Sequence, residues 1–143
     1  MSKSKQYTFV LWGNGFEESM AAVFISELRQ ANRRVKLVGL TQRPTRGAYG
    51  LSFTPDISLD QALSLAASAV WVVIPSRSAS FGPLLADPRL PAFFQAAHKA
   101  CFITAPLTEA DRALFPQGCQ WIEIEPSDEW LVKIVREMVS LNE

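Results

Sequence analysis

The 143-residue chain has only one histidine and two cysteines, Cys101 and Cys119, with no CxxC between them. Two thiols do not make a disulfide framework, and His98 adds no zinc-type spacing to them, so a structural zinc site or a thioredoxin-like motif is not expected. An excess of one charge is also missing. Fourteen basic and fourteen acidic residues leave a formal net charge of zero, which supplies no global field for nucleic acid or an anionic membrane. No apolar run is long enough to cross a bilayer. The run Tyr7–Trp12, which follows a short polar start, is also too short for the core of a signal peptide, so a cytoplasmic protein is the expectation. Low-complexity segments, internal repeats and linkers are absent, and the chain reads as one domain of residues 1–143.

What is present is alternation. Five short apolar runs, at residues 7–12, 35–40, 69–74, 101–105 and 121–124, are separated by helical patterns. Most are continuous Val, Ile, Leu, Phe and Trp, as strands covered on both faces are. Glu123 interrupts the last and marks it as an edge strand. Met20, Ala21, Phe24, Leu28 and Ala31 repeat at helical spacing from about Glu17. Ser58 and Gln61 have capping-box spacing and open a helix through Leu65. Phe93, Phe94 and Ala97 form the inner face of a helix after Pro91. Thr108, with Glu109 and Asp111, starts a short helix ending near Phe115. After Pro126, with Ser127 as cap, Trp130, Leu131, Ile134, Val135 and Met138 make the stripe of the last one.

This pattern predicts an α/β, flavodoxin-like three-layer sandwich: a five-stranded, mainly parallel sheet of order 2-1-3-4-5 with helices on both faces. Ligands bind such sheets at the carboxyl ends of the strands. The places to search are therefore residues 13–18, 76–82, 104–108 and 125–127.

Known chemistries at that edge fit poorly. Gly13-Asn14-Gly15-Phe16-Glu17-Glu18 begins like a dinucleotide fingerprint but puts Glu18 where the third glycine belongs, and two carboxylates there repel a pyrophosphate. A flavodoxin-type phosphate loop needs hydroxyls that this turn lacks. A receiver domain needs an aspartate after the third strand, where Pro75-Ser76 stands.

Four segments in register do resemble one family: Gly15-Phe16-Glu17-Glu18, Tyr49-Gly50-Leu51-Ser52-Phe53-Thr54-Pro55-Asp56, Ser58-Leu59-Asp60-Gln61-Ala62 and Val72-Val73-Ile74-Pro75. Their order and spacing are similar to those of the ThiJ/PfpI superfamily, over roughly Tyr7 to Leu114. The resemblance implies a flavodoxin-like fold and a homodimer. In the family's glyoxalases, deglycases and proteases it also implies a cysteine on a sharp turn after the fourth strand. A glutamate of the first helix, often a histidine, and the amides of a Pro-Gly-Gly-like turn assist that cysteine.

Each landmark is changed here. Pro106 stands at the nucleophile position after Thr104-Ala105, and a proline has no nucleophilic atom. Met20 replaces the assisting glutamate. Ser76 and Arg77 replace the two glycines after Pro75. No histidine follows Pro106. The expectation is a superfamily member without its chemistry, with no cofactor or metal, that binds a small ligand or a protein partner. The tentative ligand-binding residues are Gly15, Glu17, Glu18, Met20, Ser76, Arg77, Pro106 and Thr108. The alternative is a hydrolase or a glyoxalase/deglycase-type enzyme with Glu17 or Glu18 as general base. A third reading is a purely structural interaction module.

Several residues carry two readings. Glu17 and Glu18 complement the helix dipole or face the pocket. Arg77 binds an anion or pairs with one of those glutamates. Ser76, Ser78, Ser80 and Gly82 form a ligand-facing loop or a solvated one. Cys101, His98 and Cys119 all belong to the opposite, amino-terminal edge. There the thiols are structural or form a redox pair or partial metal site, and His98 caps its helix. Trp12 and Trp71 fall within strands and belong to the core. Trp130 and Met138 extend the core or serve a subunit interface.

Overall fold

A computed structural model describes residues 6–77, 81–82, 84, 86–127 and 129–141. The elements in chain order are β1 (Tyr7–Trp12), α1 (Glu18–Gln30), β2 (Val35–Gly39), β3 (Thr45–Arg46), β4 (Ser52–Phe53), β5 (Ile57–Ser58), α2 (Leu59–Leu63), a 3₁₀ turn (Ala66–Ser68), β6 (Ala69–Ile74), α3 (Arg89–Ala96), β7 (Cys101–Thr104), α4 (Glu109–Arg112), β8 (Gln120–Glu123) and α5 (Leu131–Leu141).

The main sheet runs β5-β2-β1-β6-β7-β8, with every pairing parallel. The five predicted strands are there in the predicted order, so the α/β flavodoxin-like expectation holds. The sheet nevertheless has six strands, not five. The sixth, β5, pairs outside β2 through Val38↔Ile57 and Gly39↔Ser58, and two residues are too few to show a hydrophobic period. β3 and β4 form a separate antiparallel hairpin.

Strand residues alternate between two cores, which explains their continuous apolar character. Phe9, Leu11, Val72, Ile74 and Phe102 join Leu59, Ala62, Phe93 and Phe94 of α2 and α3 on one face. Val10, Trp12, Val73 and Ile103 join Met20, Phe24 and Leu28 of α1 and Leu131, Val135 and Val139 of α5 on the other. Trp12 and Trp71 are both buried. Aromatic rings reinforce the first face: Phe94 lies 5.4 Å from Phe102 and 4.9 Å from Phe115, centroid to centroid. On the second, Arg136 of α5 donates to Glu27 of α1 at 2.9 Å.

The capping box of Ser58 and Gln61 is present, but α2 stops at Leu63 and a 3₁₀ turn replaces its last turn. α3 begins before Pro91, not after it; in a first turn the missing N–H is no loss. Ser127 does not cap α5, which starts at Leu131; the hydroxyl donates to Glu125 Oε1 at 3.1 Å instead. Trp130 is thereby left outside the stripe and 58% exposed. No helix among the described residues is long and apolar enough to cross a membrane.

Phe102 is fully buried on a central strand, whereas Ile122 on the edge strand β8 is 40% exposed. Phe102→Ala should cost about 3–5 kcal/mol in denaturant unfolding and Ile122→Ala well under half of that. Equal losses would contradict the two-core arrangement.

Candidate functional site

The carboxyl ends of β1, β6, β7 and β8 release the segments 13–17, 75–77, 105–108 and 124–127. Gly15 opens the first with φ of +84°, a conformation that favours glycine. Its N–H donates to Arg46 O at 2.9 Å. Glu17 follows in extended conformation as the N-cap of α1, and its N–H donates to Pro75 O at 2.6 Å. The turn after β1 is thus tied directly to the turn after β6.

That second turn carries Ser76 and Arg77 in place of two glycines. Ser76 N–H donates to Ile74 O at 2.8 Å, which keeps the turn tight. The Ser76 side chain is fully buried, and its Oγ has no hydrogen-bond partner among the described residues. Arg77 bridges two carboxylates. Its Nε donates to Glu17 Oε1 at 2.8 Å, and its guanidinium also pairs with Glu125, just beyond β8. The hydrogen bond that Arg77 donates to Glu125 raises the Arg77 pKa above its ordinary value; burial opposes this, and Glu17 adds to it. Reciprocally, Arg77 holds the Glu125 carboxyl below the usual range, against a smaller opposing effect of burial.

Glu18 does something different from its neighbour. It is 4% exposed, and its carboxylate accepts the Tyr49 N–H at 2.9 Å and the Leu51 N–H at 2.9 Å. Burial by itself raises its pKa, but the Leu51 and Tyr49 amides, together with its own, outweigh that and bring it below the ordinary value. Both oxygens are committed to a surface turn. A methyl group on Gly47 would overlap this carboxyl.

Pro106 lies on the turn that succeeds β7, half-buried, and the described chain contains no cis peptide bond. Polar groups around it are engaged. Ile124 N–H donates to Thr104 O at 2.8 Å, and Leu107 N–H donates to Glu123 Oε1 at 2.9 Å. Thr104 Oγ1 accepts from Trp121 Nε1 at 3.1 Å and donates to Ala105 O at 2.7 Å. Arg112 lies 4.6 Å from the Trp121 ring centre and bonds Glu123 at 3.1 Å. Thr108 caps α4 by accepting from Asp111 N at 3.4 Å. Met20 is fully buried in the α1–α5 core, so a thioether among apolar groups occupies the place where the family resemblance implies an assisting acid.

Of the residues singled out from the sequence, Glu17 and Arg77 are bound to each other at this edge, with Ser76 next in chain, while Gly15 is tied to Arg46 instead. Glu18 and Met20 serve the fold around it, and Thr108 serves its own helix. Ser78 and Ser80 lie outside the described residues. Glu125 was the residue missed: it lay within a segment marked for search, but no local pattern connects it to an arginine 48 positions away.

At the opposite edge the two thiols belong to different cores. Cys101 is buried with the α1–α5 side, while Cys119 packs against the α2–α3 side. Burial raises the pKa of both, and a mutual repulsion adds to it at Cys101. Thiols of this kind are poor nucleophiles. No group of three potential metal ligands comes together among the described residues. His98 Nδ1 lies 2.9 Å from Gln95 O, at the end of its helix.

No family model matches the chain, and no curated protein matches it. Solved structures do. The DJ-1/ThiJ/PfpI-like and ferritin-like two-domain protein of Anabaena variabilis superposes with a TM-score of 0.62 at 22% identity, over 71% of this chain and 29% of that one. The chain thus spans under a third of that protein's length. Toxoplasma gondii DJ-1 gives 0.71 at 13% identity, covering 96% and 90% of the two chains. The ThiJ/PfpI domain protein of Brachyspira murdochii gives 0.67 at 13% identity, covering 99% and 98%. The chain has the fold of the DJ-1/ThiJ/PfpI superfamily, in agreement with the four sequence segments that resemble it.

The depressed pKa of Glu18 has a pH signature. Below the ordinary value of 4.5 the unfolded chain binds a proton that the folded chain still excludes. The stabilisation is therefore complete above that pH and is lost as pH falls through the lower folded value. Wild-type unfolding free energy should drop across this acid window, and Glu18→Gln should flatten the drop while lowering stability near neutrality by about 1–3 kcal/mol. Identical acid limbs in the two proteins would show that the carboxylate does not hold the turn.

Proposed function

We propose that the chain is a divergent ThiJ/PfpI superfamily member that binds a small ligand or a protein partner at the carboxyl edge of its sheet without covalent chemistry. The observation that carries this reading is Pro106 on the turn after β7, the position for which the family resemblance implies a cysteine. Three neighbouring changes support it. Met20 is a buried core residue. Ser76 and Arg77 carry side chains where the resemblance implies bare glycines. Cys101 and Cys119 begin or precede their strands, at the other end of the sheet, so neither is a displaced nucleophile.

The glutamate-based enzyme has less support. Glu18 spends its oxygens on Tyr49 and Leu51 amides, and Glu17 faces Arg77 at 2.8 Å. A general base needs a free lone pair within reach of a substrate proton. The ion cluster also bears on ligand charge. Glu17, Arg77 and Glu125 together carry one net negative charge, and an incoming phosphate or carboxylate would have to displace one glutamate from Arg77. Neutral or amine-bearing ligands suit the edge better than anions. The buried Ser76 hydroxyl, which has no partner among the described residues, supports a hydrogen-bonding ligand, since an unsatisfied buried polar group is costly. A cytoplasmic location suits two unpaired thiols.

Purified protein should show no saturable consumption of methylglyoxal, and a panel of metabolites should include a neutral or cationic compound that raises the melting temperature. A ligand at a hundredfold excess over Kd adds about 2.7 kcal/mol to the native state. Saturable turnover abolished by Glu17→Gln would replace this reading with the enzyme.

A further inference from the structure

Charge is divided between the two ends of the sheet. The carboxyl edge carries Glu17, Glu109, Asp111 and Glu125 in its turns and first helical turns. The described loops at the amino-terminal edge, residues 31–34, 64–68, 97–100 and 113–119, contain no aspartate or glutamate but hold Arg33, Arg34 and Lys99. Helices end at that edge, and cations are welcome beside their last carbonyls. Arg33 has this ordinary role: its guanidinium donates to Val139 O near the end of α5 at 3.2 Å. Arg34 and Lys36 do not. Among the described residues neither side chain makes an ion pair or a hydrogen bond, whereas Arg29, Arg77, Arg89, Arg112 and Arg136 are each held by a carboxylate.

Arg34 immediately precedes β2 and Lys36 is its second residue, so only about 6.6 Å of extended chain separates two like charges. They line one cleft of about 360 Å³ with Tyr7 and Val35. Tyr7 enters from β1, its ring stacked on Phe9 at 5.8 Å. Phe9 is in register with Lys36, so Tyr7 and Lys36 share the α2–α3 face. The Tyr7 hydroxyl also has no hydrogen-bond partner among the described residues. β5 pairs with β2 only at Val38 and Gly39, which leaves the start of β2 uncovered. Asp56, beside the next residue of β2, is already engaged: its Oδ2 accepts the Leu37 N–H at 2.9 Å and pairs with Arg29 at 3.4 Å. The cleft therefore offers a guanidinium, an ammonium and a phenol, with no acid in its lining.

We infer that Tyr7, Arg34 and Lys36 form a binding site for a phosphate monoester at the amino-terminal edge. Two positive charges match the dianion that such an ester forms near neutral pH. The planar guanidinium suits two of its oxygens, and the ammonium and phenol serve the third. A carboxylate, with one charge and two oxygens, leaves part of this donor set unused. The cleft lies at the small end of the range for small-molecule sites, about 300–1,000 Å³, and takes a phosphate with a short substituent. Glu17 and Glu125 disfavour anions at the carboxyl edge, so the two ends of the sheet select ligands of different charge. The inference stands whether or not the carboxyl edge binds a ligand.

An NMR titration of the isotope-labelled full chain with phenyl phosphate, at constant ionic strength, tests it. The amides of Tyr7, Arg34, Val35 and Lys36 should shift saturably, and those of Gly15, Ser76 and Leu107 should stay in place. The double variant Arg34→Gln/Lys36→Gln should weaken binding at least about tenfold and Tyr7→Phe about threefold, both with unchanged circular dichroism. Lys99→Gln removes a cation of the same edge on another loop and should bind as wild type does. Benzoate, with the same ring and a carboxylate, should bind at least about tenfold more weakly than phenyl phosphate. Co-sedimentation with phosphatidic acid vesicles that the double variant loses would support the site and place the ester on a lipid headgroup; binding of phenyl phosphate without it would support the site and place the ester on a soluble molecule. The absence of a saturable shift would overturn the inference. So would equal affinity for benzoate, or a loss in Lys99→Gln as large as in the double variant.

Discussion

A carboxylate taken out of water needs compensation, and Glu18 receives it from backbone amides rather than from a cation. This one arrangement sets the geometry of the surrounding structure. It binds the first turn of α1 to residues 47–51, demands glycine at 47, and brings the small β3–β4 hairpin against the end of β1. Two strands of two residues each have little stability of their own. The hairpin keeps its place because Phe53 packs on Trp12 and Phe16, at 5.8 Å and 5.1 Å between ring centres, and because Glu18 fixes the turn that joins its strands.

Next to that anchor, the carboxyl edge is organised by opposite charge. In a parallel sheet the helices that follow strands present their amino ends to the same edge, where acids are favoured. Glu17, Glu18, Glu109 and Asp111 all occupy first turns or caps there. Arg77 offsets part of this accumulation by joining Glu17 to Glu125, and Arg112 does the same at Glu123. A turn that would leave its amides bare with two glycines carries a cation instead. The arrangement strengthens the connection between the ends of β1, β6 and β8.

The sequence exposed those features that repeat or that occupy a fixed position relative to a strand. β1, β2, β6 and β7 could be read because burial on both faces makes a strand continuously apolar. Pro106 could be placed because it directly follows such a run. β5 and the β3–β4 hairpin could not be read, since two residues make no period. The start of α5 was misplaced by three residues because Ser127 is a good cap by type but bonds Glu125 instead. The acids of α1 show the limit most clearly. Glu17 and Glu18 are identical in type and adjacent in sequence, and each looks like a dipole-complementing residue. One binds a guanidinium and the other a pair of amides, and only the distant segments 47–51 and 75–77 make the difference. Arg77 posed the same problem: its two readings could be separated only when residue 125 was seen to lie beside it.

Central to the proposed function is that the edge binds ligands without changing them. The most direct measurement is an NMR titration of isotope-labelled protein with a stabilising metabolite. The amides of Gly15, Ser76, Arg77 and Leu107 should shift in a saturable and reversible manner, and the compound should be recovered chemically intact. Shifts confined to other parts of the molecule, or conversion of the compound during the titration, would contradict the account.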